Sequence, residues 1–265
     1  VANLYAKKTH EHLSWLAKRK VWLFKQLNKI TSQICVGFVA NSQFIKEANA
    51  KHLSIKPQKI KVINRGRDSS LFTCKDFDLK RNDVTLRFVN VSRLVPVKGQ
   101  LELIEGFRDF VEQFPYAELH IVGEGIMREK LEQAIKAYGL EEKVFLLGAR
   151  KDVPALLASY DCFVFPSHME GFSGALVEAM FAGLPVLASN IQQNKEAVTH
   201  METGYLFEVG NVKAIKDAFL WFKDNEPAAR GIAKRAHAFA KNRFELDNIA
   251  QEFEHYLHNT IVLQN

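Results

Sequence analysis

The stretch Cys162-Phe163-Val164-Phe165-Pro166-Ser167-His168-Met169-Glu170-Gly171-Phe172-Ser173-Gly174-Ala175-Leu176-Val177-Glu178-Ala179-Met180 passes from an apolar run through a glycine-bearing turn into a segment of helical period. A short apolar run ended by proline reads as a buried strand, 162–166, and the segment 175–182 as a helix. Glycines let backbone approach a ligand closely, and a helix start offers free N–H groups and a positive dipole end to an anion. Glu170 and Glu178, eight positions apart, flank that start. A carboxylate beside an anion site repels phosphate, so these two are better suited to accept hydrogen bonds from neutral hydroxyls. Vicinal hydroxyl pairs, as on sugars and riboses, match the two oxygens of a carboxylate.

The same strand–helix alternation extends outward from this turn. Strands are expected at 84–91, 118–122, 143–147, 162–166, 185–189 and 205–209, with helices at 98–114, 127–138, 153–159 and 175–182. Leu101, Ile104, Phe107, Val111 and Phe114 form the core face of the first helix, which Pro115 ends. The pattern predicts an α/β fold: a Rossmann-like parallel sheet with helices on both faces, binding ligands at the carboxyl ends of its strands. The first 70 residues differ: a long helix, an apolar run 34–40, a helix 42–53 and a run 59–64. Two strands around one helix are too little for a separate doubly wound domain. The expected organisation is thus 1–68 as the closing elements of a preceding domain, 69–83 as a linker, 84–245 as the ligand domain, and 246–265 as a helix reaching back across the molecule. Between them 212–263 reads as helical, restarted at Pro227.

With 265 residues, 47% hydrophobic and 25% charged, the chain can bury a full core. Cys35, Cys74 and Cys162 are widely spaced and odd in number, against a disulfide framework or a CxxC metal site. No apolar run reaches membrane-span length and no signal peptide is evident, so a cytoplasmic setting is expected. The net charge of +6 is modest and calls for no nucleic-acid partner. It is concentrated in the helix 3–30, where Lys7, Lys8, Lys18, Arg19, Lys20, Lys25 and Lys29 face Glu11 alone. Leu13, Leu16, Leu23, Leu27 and Ile30 form its apolar stripe, interrupted by Trp15 and Trp22. The favoured reading is a surface helix packing that stripe on the rest of the fold; the other is peripheral contact with an anionic membrane surface, at its cytoplasmic face.

Ser92-Arg93-Leu94-Val95-Pro96-Val97-Lys98-Gly99 closes the first strand of the alternating region and opens a helix, which places Arg93 and Lys98 where a diphosphate needs neutralising. Gly123-Glu124-Gly125 lacks the third glycine of a dinucleotide fingerprint, Arg128 standing there, and reads as a tight turn. Asp76-Phe77-Asp78 has a metal-binding DxD spacing, but among other linker charges it reads as solvated. His168, two residues before Glu170, reads equally as a site residue or a structural one, and the nine histidines show no metal-ligand spacing.

Taken in order, these motifs resemble glycosyltransferase family 4, the retaining GT-B enzymes that use nucleotide-sugar donors. Val62 to Asp68 with Phe72 is similar to the family's N-G-x-D…F entry into its second domain, and Ser92 to Gly99 to its GRL-x-x-x-KG segment, with Ser92 in place of glycine. His120 to Gly125 and Val144 to Arg150 resemble its next two strand ends, Glu170 to Glu178 its E-x7-E motif, and Gly183-Leu184-Pro185-Val186 completes the series. The resemblance implies that Arg93 and Lys98 contact the donor diphosphate, that Glu170 is the catalytic residue and binds hydroxyls of the transferred sugar, and that Glu178 binds the ribose. It also places Gly171, the backbone of Phe172, Ser173 and Gly174, and Leu176 and Val177 at the donor, and Arg150 near the base. No cofactor or metal is implied, the substrate being a UDP- or GDP-sugar. The acceptor, a glycan or lipid-linked molecule of polysaccharide or lipopolysaccharide synthesis, would be held by a first domain of which only the end is present. The chain is therefore expected to be N-terminally truncated and to bind donor better than it turns it over.

Three other classes fit parts of the sequence. Glycoside hydrolysis by the paired carboxylates leaves Arg93 and Lys98 without a role. A nucleotide-sugar epimerase shares the architecture and the donor. A non-catalytic nucleotide- or partner-binding module would keep the fold without turnover.

Overall fold

The structure is a computed structural model that describes residues 14–77 and 84–262. The first part of the basic helix, with Lys7, Lys8, Glu11 and Leu13, lies outside the described residues, as does Asp78 of the Asp76–Asp78 pair. The chain forms two compact units, one comprising the residues up to Arg65 and from Asp247 on, the other Gly66–Leu246.

In the smaller unit, α1 (Trp15–Ile34) begins at Ser14, whose side chain accepts from the Ala17 N–H. Strand β1 (Phe38–Ala40), helix α2 (Gln43–Leu53) and strand β2 (Ile60–Val62) make a parallel β–α–β hairpin, Phe38 opposite Ile60. Ser42 caps α2 by accepting from Ile45 N–H at 3.1 Å. Ala40, Leu53, Ile55 and Ile60 form a small core that Val21 of α1 joins. The final helix, Leu246–Val262, contributes the Tyr256 hydroxyl, which donates to the Phe38 carbonyl at 3.3 Å, and Glu252, 3.1 Å from Lys61. The expectation that α1 buries its stripe is corrected: Leu16, Leu23, Leu27 and Ile30 are exposed beside Trp15, Trp22 and Phe24. The small core covers a polar strip of the helix, where Val21 packs and Ser32 is buried, and leaves the larger apolar residues outside it. No described helix is long and apolar enough to cross a membrane.

The larger unit follows the alternation. Its elements are β3 (Leu86–Val91), α3 (Gln100–Val111), β4 (Ala117–Val122), α4 (Arg128–Ala137), β5 (Val144–Gly148), α5 (Val153–Leu157), β6 (Cys162–Phe165), α6 (Gly174–Phe181), β7 (Val186–Ser189), α7 (Gln192–Lys195), β8 (Tyr205–Phe207), α8 (Val212–Asp224) and α9 (Glu226–Phe244). The six strands pair in parallel in the order β5-β4-β3-β6-β7-β8. That is the order of a classic doubly wound sheet, whose direction of winding reverses between β3 and β6. Alternate residues of each strand feed opposite cores. Phe88, Leu119, Ile121, Cys162, Val164 and Leu187 face one, and Val89, Phe163, Phe165, Val186 and Ala188 the other.

Two local departures from the sequence reading matter. Helix α3 starts at Gln100 because Pro96–Lys98 turn as a short 3-10 segment and Gly99 takes a left-handed φ of 68°. A side chain at Gly99 would also meet the Pro166 carbonyl at 2.4 Å, so the break in the helix and the close approach of the two loops both need glycine. The described part of the expected linker is packed structure: the Phe72 ring lies 5.9 Å from that of Phe181, tilted by 45°, Phe77 lies 6.1 Å from His237, and Lys75 N–H donates to the Ala182 carbonyl at 3.1 Å. Its phenylalanines are apolar anchors that a count of polar residues overlooks.

Candidate functional site

The strand order reverses between β3 and β6, the place where a doubly wound sheet takes its ligands, and the loops leaving these two strands lie side by side. The 92–99 loop is braced from below: Gln100 Nε2 donates to the Arg93 carbonyl and to Ser92 Oγ, both at 2.9 Å, and Leu94 N–H donates to the Glu124 carbonyl at 2.9 Å. The 123–125 segment, expected as a tight turn, is tied to the 92–94 loop, and the hydrogen-bonded turn follows it, Arg128 N–H donating to the Gly125 carbonyl at 3.1 Å. His168 N–H donates to the Val97 carbonyl at 2.8 Å, joining the β3 and β6 loops. Across this seam Lys98 Nζ meets Glu170 Oε1 at 2.5 Å, with only 12% and 9% of the side chains exposed. Lys98 also lies 5.5 Å from the Phe165 ring centre, on the negative face that favours a cation. His168 turns its imidazole to Glu102 of α3, Nε2 to Oε1 3.1 Å.

The glycine turn after β6 stands on a buried polar network. Ser173 Oγ donates to Asn194 Oδ1 at 2.6 Å; Asn194 Nδ2 donates to the Ser189 carbonyl at 2.8 Å and to its Oγ at 3.0 Å; Ser189 Oγ donates to the Ser167 carbonyl at 2.5 Å. Ser167, Ser173, Ser189 and Asn194 are all buried, so each bond replaces one that water would otherwise supply. Sequence reading missed Asn194 and Ser189. Their only signal was position, Ser189 at a strand's carboxyl end and Asn194 in the short helix that follows. Phe172 is held against Phe244 at 5.6 Å. Gly174 N–H donates to the Phe172 carbonyl at 3.0 Å, whereas the N–H groups of Gly171, Phe172 and Ser173 have no acceptor among the described residues. Leu176 and Val177 lie inside the core at 0% exposure, and their N–H groups point to the Ser173 carbonyl. Their expected place at the ligand is thus corrected: being on the inner face of α6, they hold the turn and do not line its open side.

Glu178, one helix turn on, accepts from Arg67 Nε at 2.7 Å. In the sequence Arg67 stands out only as part of the Val62–Asp68 motif. The two carboxylates therefore do not stand open as hydroxyl acceptors; each already holds a cation. Arg93 is exposed at the rim and makes no ion pair among the described residues. Arg150 binds Asp152 through both ends, Nε to Oδ1 at 2.8 Å and Nη2 to Oδ2 at 2.6 Å. That bidentate pairing raises the guanidinium pKa and lowers the carboxyl below its usual value. Lys98, Glu170, Ser173, Gly174 and Glu178 are thus brought together, while Arg150 stands apart on its own partner beyond β5. A cleft of about 510 Å³ opens at the ends of β7 and β8, lined by Asn190, Lys195, Val198, Thr199, His200 and Leu206. None of the turn residues lines it. The crevice carries fixed cations, paired carboxylates and free N–H groups, which is suited to a ligand combining anionic oxygens with neutral hydroxyls.

Comparison with known proteins agrees with this fold. The family model described as "Glycosyl transferases group 1" matches residues 74–242. The N-acetyl-alpha-D-glucosaminyl L-malate synthase of Bacillus anthracis is 26% identical over 212 residues, covering 78% of this chain and 55% of that protein. The UDP-Gal:alpha-D-GlcNAc-diphosphoundecaprenol alpha-1,3-galactosyltransferase of Escherichia coli is 33% identical over 193 residues, 68% of this chain and 49% of that protein. The chain spans about half the length of these curated relatives. Among solved structures, Anabaena HepE in complex with UDP-glucose superposes with a TM-score of 0.76 at 26% identity, over 89% of this chain and 68% of that one. Sucrose-phosphate synthase from Thermosynechococcus elongatus shares the fold at a TM-score of 0.76 and 20% identity, over 96% of this chain and 65% of that one.

Proposed function

The chain belongs to the glycosyl transferases group 1 family, and from that premise we propose that its Gly66–Leu246 unit holds the nucleotide-sugar donor of a configuration-retaining glycosyl transfer that proceeds without a metal ion. The observation that carries the proposal is the buried Lys98–Glu170 pair at the reversal of the sheet, 2.5 Å across. A buried pair costs desolvation that its attraction only partly offsets, so its presence in a crevice calls for a use. A diphosphate entering over the Phe172 and Ser173 N–H groups draws Lys98 toward its oxygens. Glu170 is then released to accept hydrogen bonds from hydroxyls of the transferred sugar. Arg93, exposed on the facing loop, is free to join the diphosphate, and Glu178 meets the ribose. Arg150 approaches the base only if Asp152 yields it.

Negative charge on the departing nucleoside diphosphate grows as the glycosidic bond breaks, and we assign its neutralisation to Lys98, Arg93 and the Phe172 and Ser173 N–H groups just before α6. Cations fixed in the protein supply the neutralisation a divalent metal would otherwise give. We place the acceptor among glycans or lipid-linked sugars, as the names of the relatives suggest, and the protein at the cytoplasmic face of the membrane.

Two measurements test these readings. Titration calorimetry in the presence of a chelator is expected to show binding of UDP or GDP with a Kd between about 1 µM and 1 mM; no heat with either nucleotide removes the donor assignment. The exposed face of α1, with Trp15, Trp22, Phe24 and the cations Lys18, Arg19, Lys20, Lys25 and Lys29, is proposed as the membrane contact. Co-sedimentation is expected with phosphatidylglycerol-containing vesicles and not with pure phosphatidylcholine. Equal recovery with both, or with neither, rules out an anionic membrane as the surface α1 meets.

A further inference from the structure

We infer that Arg67 is a binding residue of the donor site, a guanidinium that occupies Glu178 when the site is empty and passes to the donor's phosphates when it fills. The inference rests on the donor reading above. Arg67 Nε lies 2.7 Å from Glu178 Oε1, Nη1 donates to the Gly66 carbonyl at 3.0 Å, and 28% and 23% of the two side chains remain exposed. Both are therefore open to a ligand.

Two features separate this arrangement from a structural tie. First, the backbone of Arg67 is already fastened: its N–H donates to the Phe244 carbonyl at 2.9 Å and its carbonyl accepts from Leu246 N–H at 3.0 Å. The segment does not need the side chain to hold it. Second, the guanidinium lies on Gly174, the first residue of α6, where an added Cβ would come within 2.3 Å of Nη2. Gly174 is not among the glycines with positive φ, so the backbone does not require glycine there. Its use is to leave room for Arg67 over the first turn of the helix, beside the Phe172 and Ser173 N–H groups that lack acceptors.

The chemistry follows from that placement. A ribose diol reaching Glu178 must share the carboxylate with a guanidinium that already holds it. A nucleoside alone brings nothing to offer Arg67 in exchange. A nucleoside diphosphate carries anionic phosphate oxygens, its first phosphorus joined to the ribose 5′ carbon through a single bridging oxygen, so Arg67 can exchange carboxylate for phosphate while Glu178 turns to the diol. Arg67 thereby makes the site select phosphorylated ligands over free nucleosides.

The test compares affinities for UDP and uridine, or GDP and guanosine if GDP is the nucleotide that binds, in the wild-type chain and in Arg67→Ala and Gly174→Ala variants. Loss of a charge-assisted contact to phosphate is expected to weaken the diphosphate about 10- to 100-fold in Arg67→Ala, with the nucleoside unchanged or tighter. Gly174→Ala, a replacement that favours helix, keeps the charge but displaces the guanidinium and is expected to move the ratio in the same direction. It decides the matter if thermal melting shows Arg67→Ala to be unfolded. A diphosphate-to-nucleoside ratio unchanged in the folded variants overturns the inference while the donor reading stands. Binding of neither UDP nor GDP by the wild type overturns both.

Discussion

Lys98→Ala is expected to lower the unfolding free energy by about 3 kcal/mol and the melting temperature by about 6 to 12 °C, a large effect for a residue at the mouth of a crevice. The reason is what it leaves behind. Glu170 is 9% exposed and its Oε1 accepts from Lys98 at 2.5 Å, so removing the ammonium strands a carboxylate in low dielectric. The same change removes the cation proposed for the diphosphate and is expected to weaken UDP or GDP about 10- to 100-fold. The two losses can be separated. A Lys98→Met, Glu170→Gln double variant has no buried charge left unpaired, and its melting temperature is expected to return most of the way to wild type while nucleotide affinity stays low. Recovery of binding along with stability in the double variant would mean that Lys98 serves the fold and not the ligand.

Phe88→Ala is expected to cost about 3 to 5 kcal/mol, read by chemical denaturation. Phe88 sits at the middle of the central strand with no exposure, and its ring meets Phe107 at 6.2 Å, Phe110 at 5.7 Å, Phe219 at 4.6 Å and Phe222 at 5.6 Å, all edge-on. Truncation opens a cavity between β3, α3 and α8 and also forfeits the edge-to-face terms of four aromatic pairs. The neighbouring residue Val89 faces the other core, so the cavity lies on the side of the sheet that Phe165 and the α6 core do not share. Nucleotide affinity measured well below the new melting point is therefore expected to hold. A cost under about 1 kcal/mol would mean that the aromatic cluster closes over the gap.

Both predictions concern places where sequence and structure inform one another unequally. The strand 162–166 and the helix after Gly174 were legible because their signals are local: a short apolar run, a proline, a glycine turn and a helical period. The six parallel strands followed from the same alternation, with boundaries off by a residue or two. Helix α3 starting late at Gln100 was not legible, because a 3-10 turn and a left-handed Gly99 are settled by how closely Pro166 approaches from the next loop. Helix α7 was missed because four residues are too few to show a period.

The site divides along the same line. The amino-acid sequence by itself determined the doubly wound sheet, the glycine turn between two glutamates and the presence of Lys98 at a neighbouring strand end, since each is set by periodicity or by residues within one turn. Only the tertiary structure decided which charges meet. Lys98 finds Glu170 across 72 positions of chain and Arg67 finds Glu178 across 111, separations with no period to read. Ion pairs of this kind are chosen by where the folded backbone brings side chains out of water, because an unpaired charge there is costly and any opposite charge in reach is taken. The turn that looked like two open carboxylates is, once folded, two carboxylates each holding a cation.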